Sequence, residues 1–187
     1  MPPDRLAAER AIRDFLCALG HPPEQSAELT DTPRRVAEAY ANELLSGYSV
    51  DIATLLSAGS PAEESGLVVM RDAFVSTMCP HHLLPSMGKA TLAYVPGKRL
   101  FGLSVLSDLL DACSRRLVLQ EQIGHSVVHA LMDHGAAQGA FCSLEMVHAC
   151  LASRGAKRPE AKIFTSARAG ELPEAEIAAL LQAKASP

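Results

Sequence analysis

The sequence contains no tryptophan, and aromatic residues make up only 4% of its 187 positions. So little stacking surface argues against a protein that reads single-stranded nucleic acid on aromatic platforms. Positive charge is not in excess either. Lys and Arg number 17 against 21 Asp and Glu, a formal net charge of −4, which leaves no electrostatic footprint for a phosphate backbone, so no nucleic-acid partner is expected. Nowhere do about eighteen apolar residues run without charge or proline, so no membrane span is expected. The opening Met1-Pro2-Pro3-Asp4-Arg5 has neither the cationic start nor the apolar stretch of a secretory signal, which makes a cytoplasmic location the expectation. In that reducing compartment the five cysteines are thiols, and the question is which of them are metal ligands.

What is present is globular composition, 48% hydrophobic and 20% charged, in a length that suits one domain. From Asp4 to Leu19, apolar residues recur at mostly helical spacing and stop at Gly20-His21-Pro22-Pro23. Thr32 reads as an N-cap with Pro33 in the first turn of a second helix that runs to about Leu45. Ser57 to Gly66 reads as a loop and Leu67 to Thr77 as a strand. Gly88 to Val95 and Arg99 to Leu103 read as a hairpin turning at Pro96-Gly97, after which Ser104 caps a helix. Helical spacing covers Val105 to Leu117 and Leu119 to His134, ending near Gly135. The period then changes to two. Over Phe141 to Leu151 a strand would place Cys142, Leu144, Met146, His148 and Cys150 on one face. A strand from Ala161 to Ala167 and a helix from Pro173 to Ala185 complete an α+β pattern, an antiparallel sheet with helices on one face.

Cys79-Pro80-His81-His82 offers a thiolate and an imidazole three residues apart, a separation that a tight loop can fold around one cation. Cys150 is a candidate third ligand, with His148 beside it as a candidate acid or base. Three ligands leave a fourth position open, the hallmark of catalytic zinc, where bound water ionises near neutral pH. His81, next to the ligand, is placed for proton transfer.

These residues resemble GTP cyclohydrolase I. The likeness runs from about Thr32 to Gly155, through Thr32-Pro33-x-Arg35, Ser76-Thr77-Met78-Cys79-Pro80-His81-His82, Gly102-Leu103-Ser104, Gln120-Glu121, Val147-His148-x-Cys150 and Arg154-Gly155. It implies the tunnelling fold (T-fold), with residues 1–56 as an N-terminal helical arm, 67–170 as the catalytic region and 171–187 as a tail. It also implies a toroidal homo-oligomer, typically a decamer, with sites between subunits. Carried over by position, it implies Zn2+ on Cys79, His82 and Cys150, with His81 and His148 moving protons. Water activated by zinc would attack C8 of a guanine-type purine while a histidine, here His148, protonates N7, and formate would leave. Glu121 would read the guanine N1–H and 2-amino group with Gln120 beside it, Ser104 would lie near the ribose, and Arg35 and Arg154 would face phosphate.

The chain departs from the resemblance at its phosphate end. Lys and Arg of the family after Gly-Leu-Ser are Val105 and Asp108 here, a family Lys is Glu38, and Pro80 stands where Glu is usual. Simple counting over positions 38, 105 and 108 makes that a local change of about five charge units. Metal and proton-transfer positions persist while phosphate positions do not, which points to a purine substrate with fewer phosphates than GTP. Two other readings stay open: an ordinary GTP cyclohydrolase I making dihydroneopterin triphosphate, and a catalytically silent zinc-binding ring.

Other candidates read more plainly. His125 and His129 are helix-surface residues without the Glu of a metalloprotease helix; Cys17, Cys113 and Cys142 are small core residues; His21 and His134 adjoin helix ends; Glu145 falls on the face opposite His148.

Overall fold

The computed structural model describes residues 3–62 and 66–182. Helix α1 (Arg5–Ala18) starts where the Asp4 carboxylate accepts from the Ala7 N–H at 2.9 Å, satisfying one orphan donor of the first turn. Its apolar side chains stay outside this chain's core: Leu6 and Phe15 are 67% and 59% exposed. Cys17, expected inside, is exposed with them, because α1 packs chiefly on α2 (Thr32–Ala39) and not on the sheet. In α2 the cap position belongs to Asp31. Thr32 is already helical, and its hydroxyl donates back to the Glu28 carbonyl, so the expected Thr32 cap is not formed. A wide π-helical turn, Tyr40–Leu44, carries the helix on to Leu45. Helix α3 (Ile52–Ser57), too short to register as periodicity, is capped by Asp51, which accepts from the Ala53 and Thr54 N–H groups.

The stretch expected as a loop contains strand β1 (Ser60–Pro61). The main sheet is formed by β2 (Val68–Met78), β3 (Pro85–Val95), β5 (Gly139–His148) and β6 (Ile163–Gly170), antiparallel throughout in the order β2-β3-β5-β6. The expected hairpin at Pro96-Gly97 does not form. Both edges of β3 are taken, by β2 and β5, so β4 (Arg99–Leu100) pairs with β1 instead. Gly97 itself abuts another turn, where a Cβ would lie 2.0 Å from the Ala136 carbonyl oxygen.

Helices α4 (Leu103–Ser114) and α5 (Gln120–Asp133) cover one face of the sheet. Leu106, Leu109, Leu110, Ile123, Val127 and Leu131 pack there against Leu92, Cys142, Leu144 and Met146. The α4 cap is Gly102, which puts Ser104 in the first turn rather than at the cap. At its far end the other sheet face is closed by α7 (Glu174–Gln182), whose Ile177 and Leu180 meet Ala93 and Phe141. The last residues of the helix expected to reach Ala185 lie outside those described. Among the described residues, no helix is long and apolar enough to cross a membrane.

Leu144 is 0% exposed and in van der Waals range of any Cβ placed on Gly124 of α5, so the helix and sheet interlock there. Leu144→Ala is expected to lower the free energy of unfolding by about 2–5 kcal/mol, the cost of lost transfer energy plus a cavity. Urea denaturation of the variant beside the parent checks it.

Candidate metal centre and active site

The C-x-x-H segment is the loop of the β2–β3 hairpin, residues 79–84. Two backbone hydrogen bonds of 2.9 Å close it, Cys79 N–H to the Leu84 carbonyl and Leu83 N–H to the Cys79 carbonyl. Turning that tightly puts Leu83 at φ 52°, left-handed space that a non-glycine residue enters only under constraint. The constraint is visible: the Tyr40 hydroxyl, on the π-helical turn, donates to the Leu83 carbonyl at 2.8 Å. Removing it with Tyr40→Phe is expected to loosen the loop by about 1 kcal/mol, the net worth of one hydrogen bond. Zinc affinity should then fall several-fold, as a chelator competition titration would read.

Cys150 reaches the loop by a route different from the expected one. Strand β5 stops at His148, and Ala149–Ala152 form one helical turn, α6. The alternation that set Cys150 beside His148 on a strand therefore does not hold; the helical turn swings the thiol toward Cys79. The Cys79 and Cys150 sulfurs and a His82 ring nitrogen all lie within 4.8 Å of one another, with the Cys79 Sγ 3.7 Å from His82 Nδ1. Tetrahedral zinc, with bonds of about 2.3 Å to sulfur and 2.0 Å to nitrogen, separates its ligand atoms by roughly 3.6 Å. Soft sulfur, borderline nitrogen and that spacing fit a zinc ion. Burial first, then the neighbouring Cys79 sulfur, push the Cys150 thiol above its ordinary value, while Arg154 pulls it down.

A cavity of about 290 Å³ opens beside these three residues. Cys79, Cys150, His81, Ser86, Gln120, Glu121 and His148 are among its lining, so two of the three clustered residues and five polar side chains converge on one space. His81 is exposed, its ring 6.1 Å from that of His82. Glu121 is exposed in the first turn of α5, where the positive end of the helix dipole favours a carboxylate. His148 is pulled below its ordinary value by partial burial, with Glu121 opposing.

Gln120, expected beside Glu121 at the substrate, lies beneath the cavity surface. It is 2% exposed, and its amide NH2 donates to the Leu144 and Ile163 carbonyls and to Thr165 Oγ1 at 3.0–3.2 Å. Its carbonyl oxygen faces His148 Nε2 at 2.8 Å. Ser86, which sequence spacing did not single out, holds the other ring nitrogen: its Oγ lies 2.9 Å from His148 Nδ1. Only the pairing of β3 with β5 sets Ser86 opposite His148, and no local motif carries that information.

Four expected site residues, His82, Arg154, Arg35 and Ser104, are not among its lining. Arg154 stays close enough to act on Cys150, whereas Arg35, with 70% of its side chain exposed, is tied to Asp31 at 3.3 Å. Ser104 is further away. The start of α4 lies by Met70, where the Ser107 hydroxyl meets the Met70 sulfur, and the end of α4 lies by Met78, whose N–H donates to the Arg116 carbonyl. Ser104 thus sits on the order of 20 Å along β2 from its own Cys79. A larger cavity of about 600 Å³, among Arg5, Tyr40 and Tyr48, holds no cysteine, histidine or carboxylate.

The model of the GTP cyclohydrolase I family matches residues 8–182. The GTP cyclohydrolase 1 of Chromobacterium violaceum is 38% identical over 170 residues, covering 91% of this chain and 82% of its own. That of Thermoanaerobacter pseudethanolicus is 34% identical over 187 residues, covering 97% of this chain and 98% of its own. The Streptococcus agalactiae serotype Ia enzyme is 38% identical, covering 90% and 89%. Among solved structures, the apo form of archaeosine synthase QueF-Like covers 59% of the chain with a TM-score of 0.46 and 12% identity. With a family match over nearly the whole length, and the cysteine and histidine cluster beside a polar cavity, this α+β chain belongs to the GTP cyclohydrolase I family of hydrolases.

Proposed function

We propose that this protein is a zinc-dependent cyclohydrolase that opens the imidazole ring of a guanine-type purine by hydrolysis at C8, releasing formate, on a substrate with fewer phosphates than GTP. The observation that carries the reading is the convergence of Cys79, His82 and Cys150 within 4.8 Å, beside a cavity that His148, His81 and Glu121 also line. When bound by those three residues, zinc supplies a Lewis acid that activates water near neutral pH. Glu121 offers two acceptor oxygens to the N1–H and 2-amino group of guanine, a pairing adenine cannot return. His148, with His81 at the exposed side, moves protons at the purine nitrogen and at the leaving fragment.

The cavity is at the small end of ligand sites, which run from about 300 to 1,000 Å³. Its own Ser104 is too distant to serve it. Both facts support a site completed by a neighbouring copy in a homo-oligomeric toroid, where the neighbour's α4 would bring Ser104, Val105 and Asp108 to the sugar and phosphate end. An acidic Asp108 there opposes phosphate, and Glu38 is already engaged by Arg34 through hydrogen bonds of 3.1 and 2.9 Å. A reducing cytoplasm suits free thiol ligands.

The test is a panel of GTP, GMP, guanosine and guanine with zinc-loaded protein, following formate and the absorbance of a pterin product separately. Formate released faster from guanosine or GMP than from GTP supports the reading. A marked preference for GTP, with pterin formed, makes this an ordinary GTP cyclohydrolase I. Bound zinc with no formate from any substrate makes it a silent zinc-binding ring.

A further inference from the structure

Both ring nitrogens of His148 are engaged by protein groups, Nε2 by Gln120 and Nδ1 by Ser86. The Gln120 amide cannot be turned around: its NH2 faces the Leu144 and Ile163 carbonyls, which only accept, so its Oε1 must face His148 Nε2. An amide oxygen only accepts. Nε2 therefore carries a hydrogen, and in the neutral ring Nδ1 is left with a lone pair. The Ser86 hydroxyl, 2.9 Å away, is the donor to that lone pair.

We infer that Ser86 is a positioning residue of this site, holding the His148 ring in its Nε2–H form by donating to Nδ1. The inference rests on the proposed function only for what His148 does with its proton. The placement is built rigidly. Ser86 and His148 are directly opposed across the β3–β5 ladder, and Ser86 is 1% exposed, so its hydroxyl has little freedom to turn elsewhere. On the other side, Gln120 is 2% exposed and anchored by three hydrogen bonds, which seals Nε2 away from the cavity. Ser86 itself lines that cavity. Without the hydroxyl the ring keeps its bond to Gln120 but loses the contact that sets its plane and orients its lone pair.

Two measurements test this. Neutron diffraction from deuterium-exchanged crystals of the zinc-loaded protein near neutral pH should show deuterium on His148 Nε2 and on Ser86 Oγ, and none on Nδ1. Deuterium on Nδ1 with Nε2 bare overturns the inference. In solution, Ser86→Ala should lower kcat for formate release roughly tenfold or more. KM should stay within about twofold and zinc content at the parent value, because neither substrate nor metal contacts are removed. Ser86→Thr keeps the hydroxyl and should retain kcat within about threefold of the parent. Equal losses in the Ala and Thr variants, or no loss in Ser86→Ala, overturn the inference, since the hydroxyl is then not what matters. If the parent releases no formate from any purine while deuterium sits on Nε2, the hydrolase reading fails and the assignment of the His148 proton stands.

Discussion

Cys150→Ser is expected to strip the protein of its zinc and to lower formate release by about a thousandfold, some 4 kcal/mol of activation free energy. A serine hydroxyl stays protonated and hard where the site offers a soft thiolate, so two ligands of three remain. Cys150 is the cleaner of the two cysteines to test. It sits on the single turn α6 beyond the end of β5, at the margin of the sheet, whereas Cys79 is buried and both its backbone groups close the metal loop. Loss of stability should be small against loss of metal. Metal analysis after dialysis and a formate assay measure the two effects. A Cys150→Ser protein that keeps one zinc per chain and full turnover would remove the metal centre from this account.

Restoring cations at the phosphate end should move substrate preference the other way. The triple change Glu38→Lys, Val105→Lys and Asp108→Arg is expected to raise kcat/KM for GTP relative to guanosine by about a hundredfold, through charge-assisted contacts to phosphate partly screened by solvent. Glu38→Lys acts twice, because it also removes one of the two carboxylates paired with Arg34 and leaves only Asp31. Positions 105 and 108 lie on α4; Asp108 is exposed there, whereas Val105 is half-buried against the core, so a lysine at 105 must carry its ammonium out to solvent along its aliphatic stem. These residues are on the order of 20 Å from their own chain's cavity. The gain should therefore appear in the assembled oligomer and fade on dilution to single chains. Steady-state kinetics at low ionic strength, with light scattering on the same samples, reads both. An unchanged GTP to guanosine ratio in the assembled protein would mean that positions 38, 105 and 108 do not set phosphate tolerance.

The amphipathic α1 shows how far a sequence pattern carries. Helical spacing correctly marks α1, but not where its apolar side chains go: Leu6 and Phe15 stay exposed in the single chain. Spacing also marks α4 and α5, where long apolar periodicity and burial agree. It fails at short and non-local features. The six-residue α3 is too brief for a period, and β4 pairs forty residues back with β1 because its neighbour in sequence has no free edge. Alternation along β5 reads correctly for Cys142, Leu144 and Met146, all in the core, and breaks at Cys150, where the backbone turns helical.

By itself, the sequence determined the residue types of the Cys-His-Cys cluster and the compact Cys79-to-His82 spacing, because a short loop constrains its own residues whatever surrounds it. It also determined that positions 38, 105 and 108 carry no cation, since charge is a property of the side chain alone. Tertiary structure decided the rest. The third residue of the cysteine and histidine cluster comes from 71 positions beyond Cys79 by a helical turn, Tyr40 pins the loop from another element, and β3 pairing with β5 sets Ser86 against His148. Each of these depends on which strands find one another, and strand pairing is settled by the packing of the whole core, which no local stretch of residues contains.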